Sequence, residues 1–150
     1  MNIILDKSQF DFNYIFFKDK IKNTVYNDSS FMRIFYSKSN FIMNAISIMV
    51  EFKNLKVMYN GNKYIGHFKS YENTDIINYI KHLECYLLNI ANINKKKVYS
   101  LQNQLTNEFL KIYNVIDDKN ISKLHLKISG IWETSSSYGI TYKFLVVHKL

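Results

Sequence analysis

Cations and flat aromatic side chains are interleaved at three places in this chain, a combination that suits a polyanion whose bases are free to stack. Arg33 lies among Phe31, Phe35 and Tyr36, and Lys38 follows in a polar stretch. Lys56, Tyr59, Lys63 and Tyr64 cluster around the dipeptide Asn60-Gly61. Towards the C-terminus, Lys127 and Lys143 fall opposite the apolar faces of two alternating stretches, and Tyr138 stands beside Gly139 in a serine-rich loop. Lysine and arginine follow phosphates, while each base stacked on an aromatic ring contributes on the order of 1–3 kcal/mol whatever its identity. These residues form the candidate nucleic-acid-binding set. Each has a plainer competing role, since aromatics fill cores and lysines decorate ordinary sheets; Tyr is better suited than Phe to partial exposure because its hydroxyl tolerates water.

Catalytic chemistry finds few parts. His67, His82, His125 and His148 are scattered, and no second ligand stands at metal spacing from His82 and Glu84. Glycine-rich phosphate loops, zinc-finger spacings and nucleophile elbows are absent from the sequence. The acidic pair Asp117-Asp118 sits beside Lys119 and reads as loop polarity. No enzyme, metal or other cofactor is expected; a nuclease built from dispersed carboxylates is the enzymatic alternative.

Charge and composition agree with a polyanionic partner such as nucleic acid, or with an anionic membrane surface. Twenty Lys plus Arg against 12 Asp plus Glu leave a formal net charge of +8 in 150 residues, and 47% hydrophobic residues supply a core. A basic protein without such a partner is the bland alternative. Cys85 is the single cysteine, which excludes an intrachain disulfide and suits a reducing compartment as a core thiol. Met1 to Leu5 lacks the marks of a signal peptide, and the apolar run Phe41 to Val50 falls short of a membrane span, so a soluble, unsecreted, intracellular protein without a membrane partner is expected.

The elements that must position these residues are legible as a change of period. Strand patterns occupy about Phe10 to Phe17, Phe31 to Tyr36, Phe41 to Phe52, Leu55 to Tyr59 and Lys63 to Phe68, the last two joined by a tight turn at Asn60-Gly61. Ile42, Ile46, Ile48, Val50 and Phe52 share one parity. From Asn73-Thr74-Asp75, a polar trio able to cap a helix, Ile76, Ile80, Leu83, Leu87 and Ile90 recur at helical spacing. Lys95-Lys96-Lys97 reads as a solvated helix end, and Leu101, Leu105, Phe109 and Ile112 predict a second helix from about Ser100 to Asn114. A long hairpin closes the chain, with Leu124, Leu126, Ile128, Gly130 and Trp132 on one face and Lys123, His125, Lys127, Ser129 and Ile131 on the other. Parity places Trp132 in the core, with base stacking as its alternative. Gly130 marks a bulge, a bend or a close backbone approach.

This order implies one mainly-β, α+β domain over residues 1–150. Its expected form is a small barrel of the oligonucleotide-binding (OB) type, with a helical insertion at 73–114 between the third and fourth barrel strands and residues 1–30 as a candidate N-terminal extension. An ordinary α+β sheet with helices on one face gives the same string.

Leu126-Lys127-Ile128-Ser129-Gly130-Ile131-Trp132-Glu133 and Tyr138-Gly139-Ile140-Thr141-Tyr142-Lys143-Phe144 resemble the C-terminal segment of single-stranded-DNA-binding proteins of large DNA viruses and related cytoplasmic linear plasmids. Phe31 to Ser37 and Phe41 to Val50 look like the first barrel strands of that group. The resemblance covers roughly 30–70 and 122–148. It implies single-stranded DNA as partner, low sequence specificity and a part in replication, with self-association and replication partners left open. Related phage proteins end in an acidic tail that recruits partners, whereas this sequence ends Val147-His148-Lys149-Leu150, so tail-mediated recruitment is not expected. The rival readings are an RNA-binding module of the same type and a basic structural or assembly protein of a virus-like element.

Overall fold

The computed structural model describes residues 3–22, 28–115, 121 and 123–147. The loop Asp117-Asp118-Lys119-Asn120 and His148-Lys149-Leu150 lie outside these residues. In chain order the elements are β1 (Ile15–Phe17), β2 (Ile21–Lys22), β3 (Ser30–Lys38), β4 (Phe41–Asn44), β5 (Ile46–Glu51), β6 (Lys56–Asn60), β7 (Lys63–His67), α1 (Thr74–Ala91), β8 (Lys96–Val98), α2 (Ser100–Thr106), β9 (Phe109–Tyr113), β10 (Lys123–Glu133) and β11 (Ser137–Val146). The described strands join in one mixed, open, 11-stranded sheet whose main path runs β1-β3-β10-β11-β9-β7-β6. The described residues are thus mainly-β, α+β, with two α-helices. Neither helix is long and apolar enough to cross a membrane.

β10 is the axis of this sheet. One side pairs with β11 along its length, while the other pairs with β5 through Lys123–Ile128 and then with β3 through Gly130–Glu133. The register slips between Ile128 and Gly130, leaving Ser129 as the extra residue of a bulge. A bulge reverses the inside-outside alternation, and burial follows: Leu124, Leu126 and Ile128 are interior before it, Ile131 and Glu133 after it. Trp132 is therefore turned out of the core that simple parity assigned to it, and Ile131 takes the inward place. Gly130 is required here, because a Cβ would lie 2.3 Å from the Met32 carbonyl oxygen of β3.

A second break corrects another parity. Ala45 adopts φ +74° and donates its N–H to the Ile34 carbonyl at 3.1 Å, dividing Phe41 to Phe52 into β4, paired with β3, and β5, paired with β10. Ile46, Ile48, Val50 and Phe52 remain interior, but Ile42, beyond the break, is 68% exposed and Met43 is buried instead. The β6–β7 turn lies one residue later than predicted. Asn60 pairs with Lys63, so the loop is Gly61-Asn62, and a positive φ at Gly61 alone of the two is the type II′ pattern.

α1 matches its predicted span, with Ile76, Ile80, Leu83 and Leu87 buried. Asn73 does not cap it through its side chain; its amide instead bonds the backbone of Lys53 and Lys69, tying the helix start to the end of the sheet. The second helix is shorter than predicted. Leu101 and Leu105 are its buried residues, but Glu108 turns the chain with φ +59° and Phe109–Tyr113 becomes strand β9. The alternation of buried Leu110 and Ile112 with Phe109, Lys111 and Tyr113 is that of a half-buried strand, and β-branched and aromatic side chains favour it. Lys96-Lys97-Val98 is not a frayed helix end either, since it runs parallel to β11 as β8. The N-terminal segment packs through Phe10 on Tyr36, with ring centres 5.0 Å apart, and through Phe12 on Tyr79, His82 and Tyr86 of α1.

Candidate nucleic-acid interface

Pairing in this sheet brings cations from separate parts of the sequence onto one face. Lys127 on β10 stands directly opposite Lys143 on β11, and Ser47 on β5 flanks Lys127 on its other side. β11 and β9 run parallel with Phe144 beside Ile112, so Lys143 and Lys111, one residue earlier on each, project side by side from the other face. A row Lys127–Lys143–Lys111 thus crosses three adjacent strands, spanning about 10 Å at the usual strand spacing. Next to it, Arg33 on β3 is level with Gly130 and Thr141. Beyond Lys111, the pairing of Ile65 with Lys111 and of Asn60 with Lys63 puts Lys63, His67 and Lys56 on the same face. Arg33, Lys56, Lys63, Lys111, Lys127 and Lys143 are all exposed.

Acids do not neutralise this row. Among the described residues the ion pairs are Lys20–Glu133 at 2.9 Å and Lys95–Glu133 at 3.6 Å, both at the β10–β11 turn. The Lys20 ammonium, bonded to both carboxylate oxygens, holds Glu133 below the ordinary carboxylate range against the opposing effect of its burial, and Lys95 adds to the pull. Lys95 also donates to the Thr134 carbonyl and Lys97 to Asn89, so these lysines brace the fold.

Two aromatic side chains missed or misplaced by the sequence reading join the cations. Tyr113 is 43% exposed, and the Lys143 ammonium lies 5.0 Å from its ring centre. Trp132 is half-buried and level with Phe31 on β3 and Gly139 on β11. Both line a groove of about 540 Å³, with Lys111 and Lys143, where β11 has neither β8 nor β9 beside it and α2 forms the wall. On the far side of β10 a smaller hollow of about 370 Å³ is lined by Lys18, Arg33, Lys127 and the bulged Ser129. The Thr141–Gly130–Arg33 row and the Lys143–Lys127 pair connect the two.

The wall of the groove is fixed by a buried acid. Glu84 of α1 is fully buried and accepts from the Leu101 and Gln102 amides at the start of α2, both at 2.9 Å. Burial raises its pKa, only partly countered by those two amides. Burial also pushes the Tyr142 hydroxyl up to about 12, with contributions from Glu84 and Tyr113, so it stays protonated and donates to Gln104 Oε1.

The predicted site residues divide clearly. Arg33, Lys56, Lys63, Lys127 and Lys143 come to one face. Tyr36 and Tyr138 do not, because both are fully buried. Tyr36 stacks on Phe10, and its hydroxyl accepts from the Asp11 amide at 3.2 Å. Tyr138 faces inward with Glu133 and donates to the Leu88 carbonyl at 2.9 Å; burial raises its pKa. A ring enclosed in the core offers no face to a base. Tyr59 and Tyr64 pair across the hairpin with ring centres 4.9 Å apart, on the side opposite Lys56 and Lys63. Tyr64 reaches the edge of a hollow that Lys63, Lys111 and Tyr113 share. Lys38 is at the far end of β3, its ammonium 5.4 Å from the Tyr14 ring centre. Lys18, Lys111 and Tyr113 were missed; the alternation of 109–113 was the signal for the last two. Cys85 is half-buried and receives a hydrogen bond from Gln102 at 3.2 Å. Among the described residues no three His, Cys, Asp or Glu side chains gather as a metal site.

The chain matches no protein-family model, no curated protein and no solved structure.

Proposed function

We propose that this protein binds single-stranded DNA with low sequence specificity across the outward face of β3, β10, β11, β9 and β7, protecting and extending it during replication. The observation that carries the reading is the row Lys127–Lys143–Lys111 without an acidic partner among the described residues. Like charges directly opposite on neighbouring strands destabilise a sheet, and a phosphate chain laid across them reverses the sign of that term. Exposed Tyr113 and half-exposed Trp132 on the same face supply stacking surfaces that duplex DNA, with its bases inside, would not use. The element order supports an OB-type arrangement, with strands, a helical segment and a closing hairpin in sequence. The resemblance of 126–133 and 138–144 to viral and plasmid single-strand-binding proteins is the reason for naming replication and the host cytoplasm.

The test is a titration of oligo(dT), duplex DNA of equal length and the corresponding RNA over a series of salt concentrations, followed by fluorescence of the single tryptophan. Oligo(dT) binds more tightly than duplex, and affinity falls steeply with salt. Equal affinity for single strand and duplex at every salt concentration overturns the reading, and a preference for RNA gives the site to the RNA-binding alternative.

A further inference from the structure

We infer that the groove between α2 and β9–β11 is a base-reading subsite that takes one unpaired nucleobase of the bound strand. The inference rests on the single-strand reading above and goes beyond it, because a surface of cations and rings alone would not distinguish bases. Three observations carry it. The groove, about 540 Å³, is of the size of ligand sites rather than of gaps between side chains. Its strand side supplies the Trp132 and Tyr113 rings and the Lys111 and Lys143 ammonium groups. Its helix side supplies three amides, Asn103, Gln104 and Asn107, whose hydrogen-bonding capacity is only partly used within the protein.

Those amides are oriented by what they already bond. Asn107 spends one donor on the Asn103 carbonyl at 2.9 Å, which leaves its Oδ1 to accept. Gln104 Oε1 accepts a hydrogen bond from the Tyr142 hydroxyl, which leaves Nε2 to donate. Asn103 is exposed and its side chain makes no hydrogen bond within the described residues. An acceptor on Asn107 and a donor on Gln104, three residues apart at the end of α2, complement the adjacent donor and acceptor on a base edge. In duplex DNA the Watson–Crick edge is occupied, so recognition through that edge requires a single strand. The neighbouring lysines meet the phosphates on either side of the captured base.

The experiment compares oligo(dT), oligo(dA), oligo(dC) and an abasic oligodeoxynucleotide of equal length. Each is titrated into the wild-type protein and into Gln104→Ala and Asn107→Ala, all confirmed folded by circular dichroism. Wild type is expected to bind its best homopolymer about tenfold more tightly than its worst, and the abasic strand more weakly than any. The two variants lose that spread while keeping their affinity for the abasic strand. If wild type binds all homopolymers and the abasic strand alike, or the variants keep the spread, the base-reading subsite is overturned and the phosphate-binding face stands. If no strand binds, abasic or otherwise, the proposed function itself fails.

Discussion

The indole of Trp132 lies directly over Gly139 of the neighbouring strand, so close that a Cβ at position 139 would stand 2.7 Å from Cζ2. The same Cβ would come within 3.0 Å of the Val98 carbonyl on β8. Trp132 is held flat on the outward face by the absence of a side chain beneath it, with its free face left to the groove. Gly139→Ala is expected to lower stability by about 1–3 kcal/mol, the range for overfilling a packed site, and to shift the tryptophan emission. An unchanged melting temperature together with an unchanged spectrum contradicts this packing.

Trp132→Ala separates stacking from stability. The side chain is only half-buried, so its loss should leave the protein folded while weakening oligo(dT) binding by about 1–3 kcal/mol, the usual contribution of one stacked base. Trp132→Phe should recover most of that. Chemical denaturation and binding isotherms on both variants decide the matter, and an Ala variant that binds as tightly as wild type removes Trp132 from the site.

For the lysine row the expected signature is a change of slope. Lys111→Gln, Lys127→Gln and Lys143→Gln should each flatten the dependence of log K on log salt by about 0.7, the single-strand value per phosphate contact. Lys127→Gln and Lys143→Gln should also raise the melting temperature at low salt, since each removes a like-charge opposition. A merely solvated lysine would change neither quantity.

Two glutamates give opposite pH dependences. Glu133, held low by Lys20, contributes stability that is present above its unfolded value of about 4.3 and is lost as pH falls through its lower folded value. Glu84, raised by burial, acts the other way: the folded state favours its neutral form, so stability is lost as pH rises from the unfolded value through the raised folded one. Glu133→Gln should therefore reduce the acid sensitivity, and Glu84→Gln should reduce the loss on the rising side. Thermal melts at closely spaced pH values, compared with wild type, measure both; superimposable curves for either pair remove that assignment.

Gly130→Val should harm folding more than the other substitutions. Its side chain would meet the Met32 carbonyl oxygen and the Phe31 ring, at 2.3 and 2.7 Å from the Cβ alone. Overfilling costs typically 1–3 kcal/mol, occasionally more, and a backbone atom yields less readily than the end of a flexible side chain. Denaturant titration that finds the variant as stable as wild type would show that β3 and β10 separate easily.

The sequence patterns revealed most strands, the first helix and the closing hairpin, because each repeats one period over enough residues to be read. The cations Arg33, Lys127 and Lys143 were identified for the same reason: they alternate with apolar neighbours. What escaped was local reversal. Ser129 and Ala45 each break the alternation, so that residues on the two sides of the break no longer share a face by parity, which put Trp132 and Ile42 inside on paper. Leu101 and Leu105 of α2 and Phe109 and Ile112 of β9 happen to satisfy one helical spacing across the turn at Glu108, which hid Lys111 and Tyr113. Tyr36 and Tyr138 were misjudged because a tyrosine hydroxyl can be satisfied internally, by the Asp11 amide and the Leu88 carbonyl, as well as by water.

The extra residue at Ser129 makes this protein unusually sensitive to a change in chain length at one position. Shortening β10 there by one residue would exchange inside for outside over Gly130–Glu133, sending an indole towards the interior and the Ile131 side chain into water. Loops elsewhere can vary in length at small cost, but here a single-codon deletion acts on a whole stretch of surface at once. Residue count between Ile128 and Gly130 is thus as much a determinant of the surface as residue identity.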